Sequence, residues 1–80
     1  MELTFTKSSL IVKLNEDILP KNSFIWVDIP VSSMPIEDLT KELQESSVTI
    51  LGITVGKVVS VKPWKRVGLE LRLQILILIS

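Results

Sequence analysis

The chain has 80 residues, a mass of 9.0 kDa, and nine Lys/Arg balanced by nine Asp/Glu. It has no His, Cys, Tyr or Ala. That excludes zinc-finger and haem ligation, thiol catalysis, a Ser-His-Asp triad and a disulfide scaffold. Zero net charge supplies no general field for nucleic acid, and 46% hydrophobic with 22% charged residues is a globular composition. The length suits one domain, residues 1–80. Twelve Leu, ten Ile and nine Val carry the apolar content. With the best helix former missing and β-branched residues abundant, composition favours sheet.

Met1-Glu2-Leu3-Thr4 lacks the form of a signal peptide, and the most apolar stretch, Gln74–Ile79, is far shorter than a membrane-spanning helix. With no Cys, these features suggest a cytoplasmic protein without membrane insertion. Leu3, Phe5, Leu10, Val12 and Leu14 alternate with mostly polar residues, predicting strands at about 2–6 and 9–14. Asn15-Glu16-Asp17 and Leu19-Pro20-Lys21-Asn22 read as turns. Phe24–Ile29 reads as a strand closed by Pro30, with Phe24 and Trp26 on one face and Ile25, Val27 and Ile29 on the other. Residues 33–45 form the one helix candidate. Pro35 suits its first turn, Glu37 and Asp38 suit its positive end, and Ile36, Leu39 and Leu43 line one face.

From Ser47 the pattern is strand again. Gly52 and Gly56 fall between apolar pairs, where glycine signals a bulge or bend. Pro63-Trp64-Lys65-Arg66 reads as a hairpin loop. Val67, Leu69, Leu71, Leu73, Ile75, Ile77 and Ile79 then alternate unbroken, a strand of thirteen residues and about 43 Å. In its last six residues Leu76 and Leu78 make the second face apolar too. Such a strand needs cover on both faces, from the helix or from a second subunit. The expected fold is mostly β: a small antiparallel barrel of five to seven strands with one short helix near residues 35–45. Its expected core is Leu10, Val12, Phe24, Trp26, Ile50, Val59, Val61, Leu69, Leu71 and Leu73.

Candidate chemistry is sparse. The carboxylates decorate turns and the helix, with no Asp-x-Asp-x-Asp-Gly loop for calcium. Gly52-Ile53-Thr54-Val55-Gly56-Lys57 lacks the spacing of a phosphate-cradling loop. The sequence therefore points to no enzyme, cofactor or metal, and surfaces are the candidate functional parts. One is Ile75, Leu76, Ile77, Leu78 and Ile79, for a protein partner or for a homodimer (a homo-oligomer) through the C-terminal strand. The other is a basic tip of Lys57, Lys62, Trp64, Lys65 and Arg66, where cations flank an aromatic as in single-strand nucleic-acid binders. Neutral net charge weighs against that nucleic-acid reading.

Three segments carry a family resemblance: Ser9-Leu10-Ile11-Val12; Leu19-Pro20-Lys21-Asn22-Ser23-Phe24-Ile25-Trp26-Val27; and Gly56-Lys57-Val58-Val59-Ser60-Val61 followed by Val67-Gly68-Leu69-Glu70-Leu71. Their order resembles a PilZ-like domain, a six-stranded β-barrel, over most of residues 5–72. Typical members bind cyclic di-GMP through two arginines four apart and a downstream Asp/Asn-x-Ser-x-x-Gly. Here the arginines are Arg66 and Arg72, six apart, and around Thr6–Ile11 only Ser8 matches. The resemblance thus implies a divergent member that acts by protein contact without the nucleotide. Over a shorter span, Gly52-Ile53-Thr54-Val55-Gly56-Lys57-Val58 is similar to the glycine-framed strand of MCE domains, barrels of ring-forming lipid-transport assemblies. The helix at 35–45 does not fit their pattern. The expected function is a non-catalytic protein-interaction module, the alternative a small barrel binding nucleic acid or another ligand through Lys62–Arg66.

Overall fold

A computed structural model describes residues 1–8, 10–15, 18–31 and 36–80. The chain runs β1 (Glu2–Phe5), β2 (Ile11–Lys13), β3 (Phe24–Val31), α1 (Ile36–Gln44), β4 (Ser47–Ile50), β5 (Ile53–Val67) and β6 (Glu70–Ile79). The six strands form one antiparallel sheet in the order β2-β1-β4-β5-β6-β3. Leu3 and Phe5 lie near one edge and Val27 and Ile29 at the other, yet all four share one core cluster. The sheet therefore curls around its apolar face into a nearly closed, barrel-like shape. This is the mostly-β fold with one short helix that the composition indicates.

The core is a set of alternating rows. Leu73, Ile75, Ile77 and Ile79 of β6 meet Val27 and Ile29 of β3, Val58 and Val61 of β5, and Val48 of β4. Helix α1 adds Leu39 and Leu43, four residues apart on one face. Its acidic first turn and the lysine of its last turn both suit the helix dipole. Ser46 fixes the helix end. Its buried hydroxyl donates to the Glu42 carbonyl (2.9 Å) and accepts from the Lys7 amide (3.0 Å), while its own carbonyl accepts from the Val58 amide (3.3 Å). A buried hydroxyl satisfied on both sides costs little and joins the helix to two parts of the sheet.

Two hairpin turns explain where the strands end. Val67 pairs with Glu70 across Gly68-Leu69, and only Gly68 has positive φ (61°), the type II′ arrangement. The tip is therefore Gly68-Leu69. Pro63–Arg66, expected as the loop, are strand residues of β5. The long strand is accordingly β5, with 15 residues, while β6 begins at Glu70. Ile50 pairs with Ile53 across Leu51-Gly52, both with positive φ (51° and 82°), which is type I′. Pro30 does not close β3, which continues to Val31. As the sheet's edge strand, β3 tolerates a residue without an amide proton. The expected Glu16-Asp17 turn, Ser9 at the start of the second strand and Pro35 in the helix's first turn lie outside the described residues.

Several expected core residues face outward. Phe24, Trp26, Val59 and Leu69 are exposed, Leu10, Val12, Ile50 and Leu71 are half-buried, and only Val61 and Leu73 are fully enclosed. On β3 the buried row is Val27 and Ile29, and Phe24 and Trp26, expected in the core, stand on the open face.

Two substitutions test these backbone assignments. Leu51 is 97% exposed and holds a left-handed conformation that a leucine adopts at a cost. Leu51→Asn should raise stability by about 0.5–1 kcal/mol in urea unfolding, since Asn-Gly is the preferred type I′ pair. A Cβ on Gly56 would run into the Leu78 carbonyl oxygen of the paired strand. Gly56→Ala should therefore lower the unfolding free energy by roughly 2 kcal/mol or more.

Candidate functional site

The outer face of β3, β6 and β5 holds a group of exposed side chains with specific geometry. Register sets its rows, because residues opposite each other across a strand pair share a face. Phe24 lies opposite Leu78, which lies opposite Lys57. Trp26 lies opposite Leu76, which lies opposite Ser60. Next come Asp28, Gln74 and Lys62, then Pro30, Arg72 and Lys65. The face thus changes from apolar to charged along the strands. Phe24 and Trp26 are 58% and 55% exposed, and with Val59 and the half-buried Leu76 and Leu78 they make one apolar block.

Two register shifts in β5, between Val58 and Ser60 and between Pro63 and Lys65, shape the other half. In a regular strand Lys57, Lys62 and Lys65 could not share a face, since 62 differs in parity from 57 and 65. Each bulge inserts one residue and resets the alternation. Lys57, Lys62 and Lys65 consequently stand opposite Leu78, Gln74 and Arg72, all on the outer row of β6. The inserted residues, Val59 and Trp64, are both exposed.

The Trp64 ring lies across the face. Its Nε1–H donates to Asp28 Oδ1 on β3 (2.9 Å), and Arg72 Nε of the intervening β6 donates to Asp28 Oδ2 (2.9 Å). Arg72 also stands 3.7 Å from Glu70, and the Lys65 ammonium sits 5.8 Å from the Trp64 ring centroid. The hydrogen bond from Trp64 is the largest influence holding the Asp28 carboxyl below the ordinary aspartate range. Partial loss of hydration opposes it, and the bond and charge of Arg72, with the charge of Lys65, add to it.

The residues expected as an interface divide between the two faces. Ile75, Ile77 and Ile79 are core, at most 2% exposed, and this corrects their assignment as surface. The physical reason is alternation: when the isoleucines fill the core, only Leu76 and Leu78 remain for the outer face. A charge at Ile77 would report on folding, not on assembly. β6 is also hydrogen-bonded along both edges, to β5 and to β3, from Leu71 to Leu78. A second chain therefore cannot extend the sheet at the C-terminal strand, the edge a homodimer there would use. Of the basic tip, Lys62, Trp64, Lys65 and Arg66 lie on the projecting β5–β6 hairpin, all exposed. Lys57 stands near the opposite end of β5 and belongs to the apolar block's border.

Sequence reasoning missed Phe24, Trp26, Val59, Asp28 and Arg72 as surface partners. A signal was present for Phe24 and Trp26. The row Phe24-Trp26-Asp28-Pro30 contains a carboxylate, whereas Ile25-Val27-Ile29-Val31 is wholly apolar and is the better core row. Two hollows lie elsewhere. One of about 390 Å³ is lined by Met1, Glu2, Thr4, Ile11, Ile50, Leu51 and Gly52. The other, of about 460 Å³, is lined by Ser47, Thr54, Gly56, Lys57, Leu78 and Ser80 and adjoins the apolar block. Among the described residues no three His, Cys, Asp or Glu gather around a common point, and no helix is long and apolar enough to cross a membrane.

No family model, no curated protein and no solved structure matches the chain. The resemblances to PilZ-like and MCE domains therefore rest on the residues quoted for them alone.

The Asp28 cluster makes a pH prediction. A carboxyl whose folded pKa is depressed adds stability above its unfolded pKa, and this is lost as pH falls through the folded value. The stability difference between the parent and Asp28→Asn should shrink as pH drops from about 4. In a Trp26→Phe background, Trp64 emission should show an acid transition below the ordinary aspartate value of 3.8 that Asp28→Asn abolishes.

Proposed function

We propose that this protein is a non-catalytic protein-interaction module whose working surface is the outer face of β3, β6 and β5, centred on Trp26. The observation that carries this reading is the block in which Phe24, Trp26 and Val59 stand exposed beside the half-buried Leu76 and Leu78, although each is large enough to fill core space. Contiguous apolar surface rimmed by polar groups is the usual mark of a protein contact, and exposed aromatics supply most binding energy at such contacts. An amphipathic tryptophan held on a rigid strand loses little conformational freedom on binding. The neighbouring Asp28–Trp64–Arg72 cluster adds a polar rim whose geometry is fixed before any partner arrives.

The test compares the parent with a Phe24→Ser/Trp26→Ser variant. Both side chains are more than half exposed, so the variant should unfold within about 1 kcal/mol of the parent. A discrete protein cross-linked to the parent in its host cells should be lost from the variant. Equal recovery by both chains would overturn the assignment of the surface.

A further inference from the structure

We infer that the occupant of this surface is a polypeptide segment that pairs large apolar side chains with a run of Asp or Glu. The inference rests on the interaction reading above and adds the partner's chemistry. The first argument is area. Two aromatics a little over half exposed offer roughly 200–250 Å², and Val59, Leu76 and Leu78 add less than that again. A specific interface takes about 800 Å² from each partner, so a partner seated on the block must extend onto its surroundings.

The second argument is what those surroundings hold. Towards the hairpin stand Lys62 and Lys65; towards the strand ends stands Lys57, beside the hollow lined by Ser47, Thr54 and Ser80. Among the described residues none of these three cations has a carboxylate within salt-bridge distance. The two acids on the face, Asp28 and Glu70, are both already engaged by Arg72. A partner that spreads beyond the apolar block in either direction therefore meets cations that no salt bridge ties to a carboxylate. Covering them with neutral or basic groups would carry a desolvation or repulsion cost, whereas acidic groups gain both attraction and faster encounter.

The third argument is that the cations are placed. Their spacing in sequence would scatter them over both faces, and two bulges in one strand bring Lys57, Lys62 and Lys65 to one side. A nucleic acid is the less favoured occupant, because the chain has zero net charge and the apolar block between Lys57 and Lys62 offers no cation for a continuous phosphate backbone to follow. A second copy is also less favoured. Its acidic helix presents charge but has already spent Leu39 and Leu43 on its own core.

The test selects random peptides displayed on phage against the full chain. The enriched peptides should combine two or three large apolar residues with adjacent Asp/Glu. Their affinity should fall as salt rises. It should drop roughly tenfold or more in Lys57→Glu/Lys62→Glu/Lys65→Glu, with a smaller drop in the corresponding glutamine variant. The Phe24→Ser/Trp26→Ser variant should lose them altogether. Peptides that need Trp26 but carry no acidic run, or whose binding ignores salt, overturn the charge assignment and leave the surface standing. Peptides that bind equally without Phe24 and Trp26, or no enriched peptide at all, overturn the surface and this inference with it. Displacement of the peptides by an oligothymidylate replaces the acidic segment with nucleic acid. Concentration-dependent dimerisation that Trp26→Ser abolishes replaces it with a second copy.

Discussion

Strand alternation at β6 is the constraint on which the rest of this molecule depends. β6 lies between β5 and β3 and supplies four consecutive inner residues, Leu73, Ile75, Ile77 and Ile79, to the core. Because successive side chains of a strand point to opposite faces, burying these four dictates where Leu76 and Leu78 go. Opposite-pair register then forces Phe24 and Trp26 of β3 to join them outside, and Val27 and Ile29 to turn inward. A slip of one residue would exchange the two sets and put Asp28 and Arg72 into the core. The inner row therefore fixes both the fold and the composition of the outer face.

The second device is irregularity in β5. An unbroken strand of 15 residues could not keep Val58 and Val61 in the core together, since their spacing is odd. The bulge at Val59 reconciles them, and the bulge at Trp64 realigns the projecting hairpin. Each also turns out a side chain that shapes the outer face: Val59 widens the apolar block, and Trp64 reaches across β6 to Asp28. Gly56 allows a related adjustment near the start of β5, where the backbone of β6 comes too close for any Cβ. Curling the sheet of an 80-residue chain around a core requires such local departures from regular pleating.

The fold class was legible in the sequence because its signals are cumulative. Abundant Ile and Val, the alternation from Leu71 to Ile79, and one short amphipathic stretch each pointed to sheet with a single helix. The hairpin tip was harder to place. Pro63-Trp64-Lys65-Arg66 has the composition of a loop, while the turn itself uses Gly68 followed by an exposed leucine, and Leu51-Gly52 hides a second tight turn in an apolar run. On this outer face size is a poor guide to burial. Phe24 and Trp26 are the bulkiest residues of β3, but Asp28 in the same row reveals the solvent side. Bulges defeat period-two reading altogether, so the shared face of Lys57, Lys62 and Lys65 could not be derived from their numbering.

Charge illustrates how a sum can conceal a pattern. The chain totals zero, and from that sum no directed electrostatic attraction would be expected. Yet Lys57, Lys62, Lys65, Arg66 and Arg72, five of the nine cations, belong to the β5–β6 hairpin. Glu37, Asp38, Glu42 and Glu45, four of the nine acids, belong to α1 and the residue after it. The helix packs on the inner side of the sheet, and the cations that follow the register stand on its outer side. The molecule measures 35 × 22 × 18 Å, while the Debye length at physiological salt is about 8 Å. The two charged regions are thus screened from each other, and an approaching partner experiences the nearer one. Local placement, set by two bulges and the inner row of β6, decides where this neutral chain carries its positive field.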